Sequence, residues 1–166
     1  GMADGMPLHC SGARGAPGGN QHGVLFDGGT LSTAVTMSSN GRVSNCGFRT
    51  TGGAGGGYAA VNLSTGSYGS FDHNVIVDSD QSGIYVAMNM ANVSHNFLND
   101  TDTEGIFVAA TGDASTIIGN RAQATGSTNF ITVVAGGNYV TVTANTGDKV
   151  ISNAGTGGAV AGNTQF

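Results

Sequence analysis

The sequence predicts an all-β solenoid, a parallel β-helix in which short strands stack coil upon coil. Three observations carry this expectation. A six-residue pattern built around Asn recurs at intervals of 22 to 28 residues along the 166-residue chain. The apolar runs between its copies are short and alternate with period two. They are bounded by Gly, Asn, Ser and Thr, the chemistry of strands and turns rather than of helices.

The copies justify the coils in order. Val43-Ser44-Asn45-Cys46-Gly47-Phe48 opens the series, followed by Phe71-Asp72-His73-Asn74-Val75-Ile76 and Val93-Ser94-His95-Asn96-Phe97-Leu98. Ile117-Ile118-Gly119-Asn120-Arg121-Ala122 and Val142-Thr143-Ala144-Asn145-Thr146-Gly147 continue it, and Val160-Ala161-Gly162-Asn163 reads as a shortened last copy. A companion strand follows each copy about ten residues on. Gly83-Ile84-Tyr85-Val86, Gly105-Ile106-Phe107-Val108 and Phe130-Ile131-Thr132-Val133 are the clear ones, and Gly57-Tyr58-Ala59-Ala60-Val61 is a looser one. Leucine-rich repeats share the period but need several Leu per turn, whereas here the apolar positions are spread over Val, Ile, Phe and Ala. Each repeat then makes one coil of three short strands, hydrogen-bonded to the coils above and below about 4.8 Å away. Stability comes from stacking several coils.

Composition agrees. Only 9% of residues are charged, and Gly contributes 30, beside 15 Asn, 14 Ser and 18 Thr. Nothing could solvate long charged helices. With 39% hydrophobic residues and a net charge of −5 the chain is not disordered. Five Lys and Arg in all exclude a nucleic-acid footprint, and no apolar run approaches a membrane span. Residues 1–20 show no charged segment followed by an apolar stretch, so no secretory signal is legible. Cys10 and Cys46 leave a disulfide open but do not make a stapled scaffold.

These repeats resemble the right-handed, pectate-lyase-like parallel β-helix, and the resemblance covers about residues 35–166. It rests on the recurrent Asn in "DHN", "SHN", "IGN" and "TAN" and on the Gly-Ile-x-Val strands. It implies a right-handed single-stranded parallel β-helix of about five to six coils, one domain over residues 1–166. Residues 1–34 would form an irregular leader with the first coil or cap, and 35–166 the regular coils. It also implies that the Asn side chains turn the chain between strands and stack as a ladder. Asn suits both tasks, since it tolerates the left-handed region and its amide can donate to one neighbour and accept from the next.

With the Asn as origin, equal positions on successive coils should lie above one another. Four positions on, the row reads Thr50, Asp78, Asp100, Ala124, Lys149; six positions on it holds Asp80 and Asp102. Four carboxylates thus gather on two coils, with Glu104 close behind. Such a cluster raises a pKa, binds a cation or splays into water. Asp78, Asp80, Asp100 and Asp102 are therefore the candidate Ca²⁺ ligands or acid–base groups of a polysaccharide lyase or hydrolase, or else polar surface turns. Arg49 and Arg121 are expected to share no row with them, which weighs against a lyase. His73 and His95 should stack just before the Asn ladder, as ligands or as surface decoration. Gly52–Gly57 has neither the Lys-Ser/Thr nor the context of a phosphate loop and reads as a long turn.

Tyr85 and Phe107 should point outward on consecutive coils, as should Val75 and Phe97. Exposed apolar rows on a soluble protein call for a purpose: a sugar-stacking platform, an oligomer interface as in trimeric phage tailspikes, or a covering loop within the chain. The expected function is a non-catalytic structural or carbohydrate-binding, adhesive β-helix module, of the kind found in phage tail spikes, fibres or secreted surface proteins. It needs no cofactor beyond the Ca²⁺ option, and binds a polysaccharide or surface glycan, with a homotrimer as a further option. Nucleic acid and a membrane span are not expected, and the setting is secreted or virion-associated rather than cytoplasmic. A pectate-lyase-like lyase or glycoside hydrolase using the stacked carboxylates is the alternative.

Overall fold

The computed structural model describes residues 5, 7–10, 25–29, 33–50, 59–64 and 66–166. Most of residues 1–22, Tyr58 and the Gly52–Gly57 run fall outside these residues. All regular structure described is strand. The first coil holds β1 (Pro7–His9), β2 (Leu25–Asp27) and β3 (Val35–Met37), the second β4 (Arg42–Ser44), β5 (Gly47–Arg49) and β6 (Val61–Leu63). The third holds β7 (Ser70–Asp72), β8 (Val75–Asp78) and β9 (Ile84–Val86), the fourth β10 (Asn92–Ser94), β11 (Phe97–Thr101) and β12 (Ile106–Val108). Then come β13 (Thr116–Ile118), β14 (Arg121–Thr125) and β15 (Asn129–Val133), β16 (Thr141–Thr143), β17 (Thr146–Gly147) and β18 (Val150–Asn153), and last β19 (Ala159–Ala161) and β20 (Thr164–Gln165).

Every third strand joins the same sheet. Two sheets of seven strands and one of six run along the molecule, and every pairing is parallel. This is the expected parallel β-helix. The three-residue strands bury their alternate residues inward. Val43, Phe71, Val93, Ile117 and Val142 line the first sheet, Phe48, Ile76 and Leu98 the second, and Val61, Ile84, Ile106 and Ile131 the third, all at most about 1% exposed. Like residues therefore stack on like in continuous apolar columns, and no coil closes a core alone. The Gly of the Gly-Ile-x-Val strands is set by packing: a methyl at Gly105 would lie 2.7 Å from a ring carbon of buried Phe130.

The corner between the first and second sheets carries the Asn ladder. The Oδ1 of Asn96 accepts from the main-chain N–H of Asn74 at 2.9 Å and from its Nδ2 at 3.2 Å, while Asn96 Nδ2 donates to Asn120 Oδ1 at 3.0 Å and to the Phe71 carbonyl at 2.9 Å. The same set repeats through Asn120, Asn145 and Asn163. One expectation is corrected: the left-handed residue is the one before each ladder Asn. Asn45, His73, His95, Gly119, Ala144 and Gly162 have φ between 53° and 66°. The turn needs the bend one residue earlier, which leaves the Asn side chain aimed inward, where it is buried. At the head of the ladder, where the sequence has Cys46 instead of Asn, a disulfide to Cys10 ties on the preceding coil, with Cα atoms 5.0 Å apart.

Candidate functional site

The corner between the second and third sheets gathers the carboxylates. The parallel bridge of Ser79 with Thr101 sets the register: Ser79 N–H donates to the Asp100 carbonyl at 3.0 Å, and Asp102 N–H to the Ser79 carbonyl at 2.8 Å. Asp78 thus lies over Asp100, and Asp80 over Asp102, in the rows expected. Asp78 and Asp80 are half-buried, and Asp100 and Asp102 exposed. Burial pushes the Asp78 carboxyl above its ordinary value, Asp100, Asp80 and Asp102 add to the rise, and Arg49 opposes it. Among the described residues, no three His, Cys, Asp or Glu side chains converge closely enough to hold a metal ion.

Arg49 is a correction. Gly47 pairs with Val75 and Phe48 with Ile76, but a bulge then sets Arg49, not Thr50, opposite Asp78. Val77 is the extra residue, turned out to solvent. A cation does share the carboxylate row, yet it is engaged: Arg49 Nη2 lies 2.7 Å from Asp27 Oδ2. Thr50 turns inward instead and joins buried Ser79, Thr101 and Thr125. These hydroxyls satisfy turn groups, with Thr50 Oγ1 accepting from Asp80 N–H at 3.3 Å and Thr125 Oγ1 donating to Asp148 at 2.8 Å.

His73 and His95 stack as expected, centroids 5.0 Å apart and planes 12° from parallel. His73 Nδ1 lies 3.1 Å from Asp72, whose two oxygens also take the Arg42 guanidinium at 3.0 Å each. Both imidazoles are exposed, and the contact with Asp72 is made by His73.

The outer face of the third sheet is different in character. One residue per strand points outward, giving the column Thr36, Asn62, Tyr85, Phe107, Thr132, Ser152. Tyr85 and Phe107 lie parallel, 10° apart with centroids 5.6 Å apart, and both are half-buried. The Asn62 Oδ1 and Thr132 Oγ1 on either side of them are covered atoms with no hydrogen-bond partner. Every side chain of this column is uncharged. Val75 and Phe97 also face outward, on the second sheet, where the Arg121 guanidinium sits 5.9 Å over the Phe97 ring.

Three further residues escaped the sequence reading. At the corner after the third sheet, Asn40, Tyr68, Met90, Ala114, Tyr139 and Gly157 occupy a second left-handed column, φ 53° to 71°. Tyr68 is 63% exposed, Met90 40% and Tyr139 68%. The signal available was their place two residues before the next coil's first strand, filled by Asn in one copy and Gly in another. Comparison with known protein families, curated proteins and solved structures finds no match to this chain.

Proposed function

We propose that this β-helix is a non-catalytic carbohydrate-binding module that uses the outer face of its third sheet. The observation that carries the reading is the parallel Tyr85–Phe107 pair, set in a column of amide and hydroxyl side chains. Flat aromatic faces take the apolar faces of sugar rings, and neighbouring amides and hydroxyls take ring hydroxyls. The scaffold holds these groups on hydrogen-bonded strands, so little ordering is needed on binding. Asn62 Oδ1 and Thr132 Oγ1 gain a partner if either side chain rotates toward a bound hydroxyl. The Cys10–Cys46 disulfide suits an oxidising, extracellular setting, such as a secreted surface protein or a virion spike.

The test is glycan retention by the wild type and by Tyr85→Ala/Phe107→Ala, with thermal melting as the folding control. Loss of retention in a folded double variant is expected. Unchanged retention, or a wild type that retains no glycan, would refute the assignment.

A further inference from the structure

The two borders of this face differ, and together they select among glycans; this step rests on the carbohydrate-binding reading. The border on the second-sheet side is acidic. Glu104 stands three residues before Phe107, within about 11 Å along the chain, and its Oε2 accepts from Ser82 Oγ at 3.4 Å. Asp102 and Asp100 continue that border outward, both exposed, with Asp78 and Asp80 one coil away. Arg49, the cation beside this row, is already paired with Asp27.

The opposite border is the corner that carries Tyr68, Met90 and Tyr139. Met90 lies five residues beyond Tyr85 on the same coil, and the Ser67–Asn89 bridge stacks Tyr68 beside it. Bulky side chains are unfavourable at positive φ, and Asn40 and Gly157 show that this corner accepts residues that suit it. Three large exposed side chains there do nothing for the core. Among the described residues near this corner, the Asp113 carboxylate already accepts the Asn138 N–H at 2.6 Å.

We propose that the ligand is an uncharged glycan chain, bound between the Tyr85–Phe107 column and the Tyr68–Tyr139 edge, and that the carboxylate border excludes polyuronates. Charge decides the class. A chain carrying a carboxylate on each sugar would bring like charges to within about a Debye length of Glu104 and Asp102, on a protein whose net charge is already −5. The column itself offers no cation to offset them. An uncharged chain meets aromatic faces, amides and hydroxyls across the whole width.

The experiment measures affinity for matched-length neutral oligosaccharides (of glucose, xylose, mannose and galactose), for oligogalacturonates and for glucosamine oligomers. It compares the wild type with Asp100→Asn/Asp102→Asn/Glu104→Gln and with Tyr68→Ala/Tyr139→Ala. The wild type should bind a neutral series and no uronate. The charge variant should gain uronate affinity at low salt, by tenfold or more, with neutral affinity unchanged. The edge variant should lose neutral affinity several-fold while melting no lower than the wild type. Preference for uronates or amino sugars, with binding still lost in Tyr85→Ala/Phe107→Ala, would overturn this selectivity and leave the binding face standing. If no chain of any class binds the wild type, both readings fall.

Discussion

Asn96→Ala tests the ladder where it is most enclosed. The side chain is 1% exposed and makes four hydrogen bonds of 2.9 to 3.2 Å. Two of its partners keep another bond: Asn74 Nδ2 still reaches the Val43 carbonyl at 3.0 Å, and Asn120 Oδ1 still accepts from Asn96 N–H at 3.0 Å. The Asn74 N–H and the Phe71 carbonyl lose this partner inside the solenoid. At about 1–3 kcal/mol for each buried group so deprived, the substitution should cost about 4 kcal/mol, a large share of the ~5–15 kcal/mol that holds a typical domain folded. Asn163 makes the equivalent bonds at the last rung, but it is only half-buried. Water can replace them there, so Asn163→Ala should cost about 1 kcal/mol. Asn96→Asp keeps the acceptor but turns the donor into an acceptor facing two others, so at neutral pH it should cost at least as much as alanine. Urea unfolding followed by far-ultraviolet circular dichroism reads the three midpoints. If Asn96→Ala shifts the midpoint no more than Asn163→Ala does, the ladder is not what holds this corner.

Further predictions follow from the same geometry. Replacing Cys10 and Cys46 by Ser removes a link spanning 36 residues; on chain entropy this lowers stability by about 4 kcal/mol, and hydrogen exchange should show β1 opening before the rest. Asp78 has its folded-state pKa raised above the ordinary 3.8 by burial and by Asp100, Asp80 and Asp102. Its ionisation therefore opposes folding, so Asp78→Asn should raise the melting temperature at pH 7 and lose that advantage below pH 3.8. Asp72 runs the other way: burial raises its pKa, but hydrogen bonds from Arg42 and His73 outweigh it and the net shift is down. Asp72→Asn should lower the melting temperature at pH 7, with the difference fading as the pH falls through the folded-state value; a constant difference would refute the pairing. Tyr68→Asn relieves a bulky residue at φ 67° that is 63% exposed, and should stabilise by about 1 kcal/mol in thermal melts. Gly119→Ala should destabilise by more than that, because φ is +66° and the new methyl would lie 2.9 Å from the His95 ring.

The sequence by itself determined the class of fold and its register. A side-chain period of two says which residues face inward, and an Asn recurring every 22 to 25 residues from Asn74 to Asn145 says where the chain turns. The parallel aromatic pair, the stacked imidazoles and the carboxylate rows followed from that arithmetic, because in a solenoid equal positions on successive repeats become neighbours in space. What spacing could not supply was anything that breaks the period. The bulge at Val77 moves Arg49 into the row of Asp78, and one extra residue in a strand leaves no mark in a composition so rich in small residues. The left-handed residue sits one place before the Asn because only the folded turn distributes the bend between two neighbours. Cys46 could have been a free thiol until the first coil brought Cys10 within reach. Tyr68, Met90 and Tyr139 share no motif; they form an edge only because the corner after the third sheet stacks them. Local periodicity determined the coils, and tertiary stacking decided which polar and aromatic groups meet, since contacts between coils depend on every insertion in the loops that separate them.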